Sequence, residues 1–400
     1  MGGSILKLKL QGPQDAYLTS KPVVNFFIKN YKNHHNFSIN REKLYFIEAV
    51  DFGKKITLPF PKQGDLLSKV FFNFKLPVLT PTTGSYAGWA NSIGHYIIDY
   101  VDLEIGTELI SRYYGLYMEI WEELTSTTPN ENYMIGKYGN IKTLEENAKN
   151  ESEYMVPLPF WFCKHISAAL PIISLFYHQV RIIIKLKDFS DCVLYDGAIE
   201  PTKVKILDAC VLADYVYVDD NLKLELKSKS QKILIEQVQS KDTQGADTNS
   251  SNGIFNTDLP FNGMVKELFW VFIEDESVEN NDGFNFSQRN LLPNTKVYSL
   301  MKHAKFLVDG VEYLEEYDEL AYRTMNSHRN KTDRHIYTIP FCVDPEGRDP
   351  SGSLNFSKFD HATLYGEMVT PTPLNKMFLF ATNHNWISID KGLSSLMFIA

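Results

Sequence analysis

Residues 157–186 read PLPFWFCKHISAALPIISLFYHQVRIIIKL, the most apolar stretch of the 400-residue chain. How this run is read decides the fold, because it could be a membrane span, a ligand pocket or the interior of a β-structure. Between Lys164-His165 and His178 lie only twelve uncharged residues, with Pro171 among them. A spanning helix needs about 20 apolar residues, so a membrane crossing is excluded here. No convergent set of polar side chains supports a pocket. The remaining reading is strand, turn, strand. "VPLPFWF" ends near Lys164-His165, and "LPIISLFYHQVRIIIKL" returns. In that second run Ile172, Ser174, Phe176, His178, Val180, Ile182 and Ile184 are expected on one face, with Arg181 and Lys185 emerging on the other.

The neighbouring segments agree. "HYIIDYVDLEIG" puts Ile97, Val101, Leu103 and Ile105 on one face and Tyr96, Tyr100, Asp102 and Glu104 on the other, the period of a strand with one buried side. "KVFFNFKLPV", "VRIIIKLKD" and "VKELFWVFIED" are short, β-rich and bounded by polar or turn residues. Two helices are expected. In "SRYYGLYMEIWEELT", Tyr113, Tyr117, Ile120, Trp121 and Leu124 share a helical face. In "DDNLKLELKSKSQ", Asp219 or Asp220 is a candidate N-cap. The polar stretches 239–253 and 280–290 read as exposed loops.

Composition supports a β-rich globular chain. Hydrophobic residues make up 44 %, enough for a substantial core, and charged residues 22 %. The 26 Phe and 22 Tyr favour pleated, half-buried surfaces. The length suits two or three domains of roughly 100–200 residues. The organisation expected is an N-terminal arm over 1–24, a first β-domain over 25–218, a connector over 219–230 and a second β-domain over 231–400. Such a pattern of many short strands with long loops suggests sandwiches or jelly rolls.

The formal net charge of −9, with no run of five Lys/Arg, argues against direct nucleic-acid binding. Cys163, Cys192, Cys210 and Cys342 form no C-x-x-C pair, so neither a disulfide framework nor a zinc site is expected, and reduced thiols fit a cytosolic site of folding. The N-terminus MGGSILKLKLQG is interrupted by Lys7 and Lys9 and does not read as a signal peptide. Its Leu6 stands where a myristoylation motif has Ser or Thr.

The chain carries no G-x-G-x-x-G, P-loop, G-x-S-x-G or H-E-x-x-H motif. Cys163 and His165 share a face if they lie on a strand, the arrangement of a thiol–imidazole nucleophile, but a packed thiol beside a surface His is the simpler reading. Glu119, Glu122 and Glu123, and again Glu315, Glu316, Asp318 and Glu319, are carboxylate clusters of the kind a glycosidase uses. They read more simply as solvated faces. No catalytic residue, metal site or cofactor is expected. Six N-x-S/T sequons, at Asn36, Asn150, Asn249, Asn285, Asn330 and Asn355, are candidate glycosylation sites.

Six segments, taken together and in order, resemble the major capsid protein family of nucleocytoplasmic large DNA viruses, such as chlorella viruses, iridoviruses and marseilleviruses. They are "GPQDAYLTSKPVVNFFIKNYKNHHNFSIN" (12–40), "QGDLLSKVFFNFKLP" (63–77), "WANSIGHYIIDYVDLEIGTELISRYYGLYMEIWEELT" (89–125), "VPLPFWFCKHISAALPIISLFYHQVRIIIKL" (156–186), "VKELFWVF" (265–272) and "PSGSLNFSKFDHATL" (350–364). The resemblance implies an all-β chain of two consecutive eight-stranded antiparallel jelly rolls, with a few short helices in loops and in the connector. It implies a homotrimeric, pseudo-hexagonal capsomer tiling an icosahedral shell over an internal membrane. The partners implied are neighbouring capsomers and minor capsid or penton proteins, with no transmembrane segment, no cofactor and no enzymatic activity. The location implied is the virion, with synthesis and assembly in the host cytoplasm. The chain departs from the family ending at Ser388, where Arg is usual, and at Ser395, where Gly is usual. A minor capsid paralogue of the same fold therefore stands as the alternative, and a carbohydrate-binding jelly roll as a more distant one.

Overall fold

A computed structural model describes residues 2–10, 12–29, 31–81, 83–126, 134–138, 141–198, 204–247, 253–287, 299–326, 328–330, 334–369 and 375–398. Residues Met1–Asn36 form one unit and Phe37–Ala400 another. The first holds two short helices, Gly2–Lys9 and Pro13–Thr19, and Asp15 caps the second by accepting from the Gly12 N–H at 2.8 Å.

Among its described residues the second unit contains twenty strands, all paired antiparallel. In its first half these are β1 (Phe37–Tyr45), β2 (Lys55–Pro59), β3 (Leu66–Leu76), β4 (Thr83–Trp89), β5 (Ile98–Ile105), β6 (Glu108–Tyr114), β7 (Ser152–Pro157), β8 (Val180–Leu186), β9 (Val193–Ala198) and β10 (Asp208–Val218). The second half holds β11 (Gln231–Asp247), β12 (Ile254–Asp258), β13 (Met264–Glu274), β14 (Met301–Val308), β15 (Val311–Asp318), β16 (Tyr337–Pro340), β17 (Leu354–Asn355), β18 (Ala362–Met368), β19 (Asn375–Asp390) and β20 (Leu393–Leu396).

The sheet orders carry the architecture. The first half forms β1-β10-β3-β7 and β2-β8-β5-β6, with β4-β9 as a separate ribbon. The second forms β11-β19-β13-β16, to which β17 and β20 add, and β12-β18-β14-β15. If β4, β9, β17 and β20 are set aside, eight strands remain in each half. Renumbered in chain order within each half, both halves read 1-8-3-6 in one sheet and 2-7-4-5 in the other. One Greek-key sandwich is thus built twice in one chain, which is the double jelly roll.

Side-chain alternation accounts for the best-formed strands. In β3, Val70, Phe72, Phe74 and Leu76 are buried while Phe71, Asn73 and Lys75 are half-exposed. In β5, Val101, Leu103 and Ile105 are buried, as the period-two pattern predicts, but Asp102, expected on the other face, is buried too under Arg112, and Tyr96 is buried on the short helix Ile93–Tyr96. The run Val180–Leu186 also behaves as expected. Val180, Ile182, Ile184 and Leu186 enter the core, while Arg181 turns out to Glu104, 2.5 Å from Nε to Oε2.

Residues 158–179 do not form the predicted strands. They make a short helix, Trp161–Lys164, and two 3₁₀ turns, Ile166–Ala168 and Ile172–Ser174. Pro157, Pro159 and Pro171 supply no ladder N–H and restrict the residue before each, so a regular strand cannot propagate. A single bridge, Leu67 to Leu170, ties this segment to β3. The predicted alternation fails with it: Ile172, Ser174 and Leu175 are all buried, whereas Phe176 and Tyr177 are exposed. Cys163 therefore lies on a helical turn and not on a strand with His165.

Three further expectations are revised. The stretch 239–253 is largely strand, since β11 continues to Asp247 with Gln239 paired to Ala381. β11 is the outermost strand of its sheet, where one side faces no partner and polar residues are tolerated. The segment 280–287 has no regular element, as expected, but Phe284 and Phe286 are buried. The first helix starts only at Gly115, because Ser111–Tyr114 belong to β6. A side chain at 115 would collide with the carbonyl oxygens of His95 and Ile98. The second helix, Asp220–Ser228, is capped by Asp219, which accepts from the Leu222 N–H at 2.9 Å.

Ile182 lies on a central strand and is wholly buried. Ile182→Asp places an unpaired carboxylate there, a change in the exceptional class above about 4 kcal/mol. Soluble folded protein should be lost, as read by yield and near-ultraviolet circular dichroism. A wild-type yield with a native spectrum would contradict the placement of β8 in the core.

Candidate functional site

Between the two jelly rolls runs a buried seam, and the candidate polar residues converge there. Its apolar part is one continuous core. Ile235, Phe269, Val271, Ile273, Phe380, Ile387 and Ile389 of the second half pack in the same cluster as the whole first sandwich. Leu268, Trp270 and Phe272 of the same β13 face the second sandwich's own core. β13 is therefore buried on both faces, which is why VKELFWVFIE is apolar without alternation. Tyr117, from the helix Gly115–Thr125, wedges between Phe269 and Phe380, with ring centroids at 6.1 and 5.6 Å, and its hydroxyl lies 3.3 Å from Thr382 Oγ1.

Two ionic clusters accompany this packing. In the first, Glu119 is fully buried and accepts from Ser92 Oγ at 3.0 Å and Arg334 Nη1 at 2.7 Å, with His95 Nδ1 at 2.9 Å. Lys137 Nζ lies 3.4 Å away and also pairs with Glu123. Burial alone would raise the Glu119 pKa, but Arg334, the His95 hydrogen bond and Lys137 hold it well below the ordinary carboxylate range. Glu122 is buried too. The expectation of a solvated helix face at Glu119 and Glu122 is thus wrong. This face packs against the second jelly roll, and Arg334 crosses from that side to meet it.

The second cluster sets three cations against three carboxylates. Lys164 reaches Glu236 at 2.6 Å and Glu346 at 3.1 Å. Lys266 pairs with the other oxygen of Glu236 and donates to the Pro345 carbonyl at 2.6 Å. Arg329 meets Glu267 at 2.6 Å and Glu346 at 2.9 Å, and Asn326 donates to Glu267 at 2.8 Å. Lys164 belongs to the first half and all its partners to the second. Burial disfavours its charge, but Glu236 and Glu346 outweigh that and raise its pKa. Lys266 is lowered, by its own burial and by Lys164 across the shared carboxylate. Burial pushes Glu346 up, but Lys164 and Arg329 pull it down to about 2.

A β-bulge places this cluster. In the pairing of β13 with β19, Val265 faces Asn383 and Glu267 faces Thr382, so Lys266 is an extra residue. The bulge re-aims side chains locally, and two consecutive charged residues both become buried. The sequence signal was the pair Lys266-Glu267 inside a continuous apolar run, which the reading of that strand passed over. Arg329, Arg334 and Glu346 lie outside regular strands and carried no such mark.

The remaining candidates hold no reacting group. Burial pushes the Cys163 thiol up to about 12, and the His165 ring nitrogen lies 3.1 Å from the Glu346 carbonyl oxygen. Glu315 and Glu316 are exposed at a bulge of the edge strand β15, and Glu316 meets His303 at 3.5 Å. Asp318 caps the helix Glu319–Thr324 through the Ala321 N–H at 3.0 Å, and Glu319 pairs with His335 at 3.3 Å. Among the described residues no group of three or more His, Cys, Asp or Glu could hold a metal ion. No described helix is long and apolar enough to cross a membrane. Of the sequons, Asn36 and Asn150 are exposed, and Asn249 lies outside the described residues. The half-buried Asn285, Asn330 and Asn355 have side-chain amides bonded to Asp282, to the Ser126 carbonyl and to the Ser357 N–H respectively.

Breaking the second cluster leaves a buried charge without its partner. Arg329→Met strands Glu267 and should cost about 3–5 kcal/mol of unfolding free energy. Denaturant titration checks this, and a loss below about 1 kcal/mol would contradict the buried pairing. Glu346 sits near 2 when folded, against an ordinary 4.5. Its contribution is complete above the ordinary value and drains away as pH falls from there toward 2. Glu346→Gln should therefore destabilise the protein at pH ~6, with the gap to wild type narrowing below pH ~4.5 and closing only as pH falls to about 2. A gap constant with pH would refute the linkage.

Comparison with known proteins supplies the identity. Residues 25–219 match the family model of the major capsid protein N-terminus, and residues 224–395 that of the large eukaryotic DNA virus major capsid protein. The major capsid protein of Pyramimonas orientalis virus is 29 % identical over the full length of both chains, and that of Paramecium bursaria Chlorella virus 1 is 25 % identical over the same extent. A chain of the latter virus's capsid superposes with a TM-score of 0.77 at 22 % identity, covering 94 % of this chain and 100 % of that one. The Faustovirus major capsid protein gives 0.69 at 11 % identity, with 96 % of each chain covered. Both halves of the molecule and the repeated strand order thus meet in one assignment: the chain belongs to the major capsid protein family of nucleocytoplasmic large DNA viruses, whose members are structural proteins of the virion and not enzymes.

Proposed function

We propose that this chain is the subunit of a homotrimeric, pseudo-hexagonal capsomer. Such capsomers tile an icosahedral shell over an internal viral membrane and meet neighbouring capsomers and minor capsid or penton proteins. Assembly takes place in the host cytoplasm. The observation that carries this reading is the identical strand order in the two halves. Two like sandwiches in each of three chains give six like units, so a threefold oligomer presents a near-sixfold outline. The buried seam supports it, because a lattice contact transmits load through a subunit only if its two halves do not shift against each other.

The chain divides on this reading into an arm at 1–24, jelly rolls at 25–218 and 231–400, and a connector at 219–230. Asn36 and Asn150 are the sequons open to a glycan, and intact-mass and peptide mapping of virion protein without added hexose at either would remove that assignment. The departures at Ser388 and Ser395 are the observation favouring a minor capsid role.

Light scattering coupled to size exclusion should give three times the 46.0 kDa chain mass at micromolar concentration. A stable monomer there would overturn the capsomer reading. Quantitative mass spectrometry of virions separates the two roles: the most abundant shell polypeptide is the major protein, and a copy number at the level of pentons assigns the minor one.

A further inference from the structure

A cavity of about 460 Å³ opens where the two jelly rolls meet, and none of the ion-paired residues of the two clusters lines it. Its volume is in the range of small-molecule sites, which are concave, mostly apolar and fitted with a few polar groups. Tyr96 and Tyr114 line it from the first half, and Phe284, Phe378 and Phe380 from the second. Tyr96 and Phe284 meet edge to face at 4.9 Å, so the wall crosses the seam.

Lys187, directly after β8, reaches into this cavity. Its ammonium stands 4.0 Å from the Tyr96 ring centroid, and among the described residues no hydrogen-bond or ion-pair partner accompanies that contact. Burial lowers its pKa, in contrast to Lys164 in the ionic seam, where carboxylates restore the charge. The other charged groups around the cavity are Asp99, Asp191 and Lys376. Lys376 is 3.6 Å from Asp275, and neither Asp99 nor Asp191 comes within ion-pair distance of Lys187. The neighbouring Cys192 thiol is pushed up to about 12 and supplies no counter-charge. Among the described residues this cation thus has no direct counter-ion, and Asp99 and Asp191 act on it only from a distance across aromatic walls. The two carboxylates beyond it disfavour a multiply charged anion.

We propose that this cavity binds a monoanionic amphiphile, a carboxylate or sulfonate with an apolar body, whose acid group pairs with Lys187 and whose body packs on Phe284, Phe378 and Phe380. Bound across the seam, it touches both jelly rolls and ties them more firmly together.

The test uses the full-length protein in its native oligomeric state, with anilinonaphthalene sulfonate as the fluorescent probe. Saturable binding of one dye per chain is expected, with a rise in thermal midpoint. Lys187→Met should weaken the dye at least about tenfold, the loss of one charge-assisted contact, while Lys187→Arg retains it. Val278→Trp, which fills the mouth from the helix Asp275–Glu279, should abolish binding without touching the cation. Decanoate should displace the dye, and inorganic phosphate at equal concentration should not. The uncharged analogue phenylnaphthylamine should bind wild type and Lys187→Met alike. Dye affinity unchanged in both Lys187→Met and Val278→Trp overturns the site. Displacement by phosphate as readily as by decanoate overturns the amphiphile assignment.

Discussion

Glu267 has no exposed surface, yet it sits in the middle of a strand whose other side chains form two hydrophobic cores. A carboxylate in that position persists only if cations and hydrogen-bond donors surround it. Arg329 and Asn326 do so from the segment that follows the helix Glu319–Thr324. Glu346 then bridges Arg329 to Lys164, and Lys164 belongs to the other jelly roll. Each charge fixes the position of the next, from the core of the second sandwich to the surface of the first. Burying such a chain of charges is a poor route to stability, since apolar side chains of equal volume serve as well. What it provides is selectivity. A displaced seam would leave several charges unpaired at once, so sliding the two halves is penalised far more than a greasy interface would penalise it.

The apolar part of the seam complements this. Phe269, Val271 and Ile273 point toward the first sandwich and Leu268, Trp270 and Phe272 toward the second, so one sheet closes two cores. Tyr117 inserts between Phe269 and Phe380, and its hydroxyl finds Thr382. Hydrophobic burial holds the halves together without choosing a register, because it is non-directional. The ion pairs choose the register without holding much. The two jelly rolls need both if they are to behave as one tile.

The legible parts of the sequence were those in which one local rule acts alone. β5 and the Val180–Leu186 strand alternate because each has one buried face, and Asp219 caps its helix by a contact three residues away. The rules failed where two acted together or where the cause was distant. Pro157, Pro159 and Pro171 outweighed the apolar character of 158–179, so a run greasy enough for strand became turns. The polar stretch 239–247 became strand because β19 offered it a ladder. Glu119 has the local pattern of a solvated helix face, and its partners Ser92 and His95, Lys137 and, 215 residues further on, Arg334 show that it is not. The six resembling segments carried the fold past these failures, since they report a whole topology and not a local preference.

The same reasoning explains why charge lies where it does. A chain with net charge −9 has an excess of carboxylates over cations, yet in the second cluster three of each meet. Other carboxylates lie outside, on faces such as β15, where Glu312, Glu315 and Glu316 are exposed. Surface carboxylates of one sign keep free subunits apart and soluble through long-range repulsion, an effect that falls off beyond about 10 Å at 0.1 M salt. Subunits that carry rigid, complementary contact surfaces approach within that distance only when correctly oriented. The paired charges that lock the two jelly rolls and the exposed carboxylates that keep free subunits apart are one charge distribution, partitioned by burial.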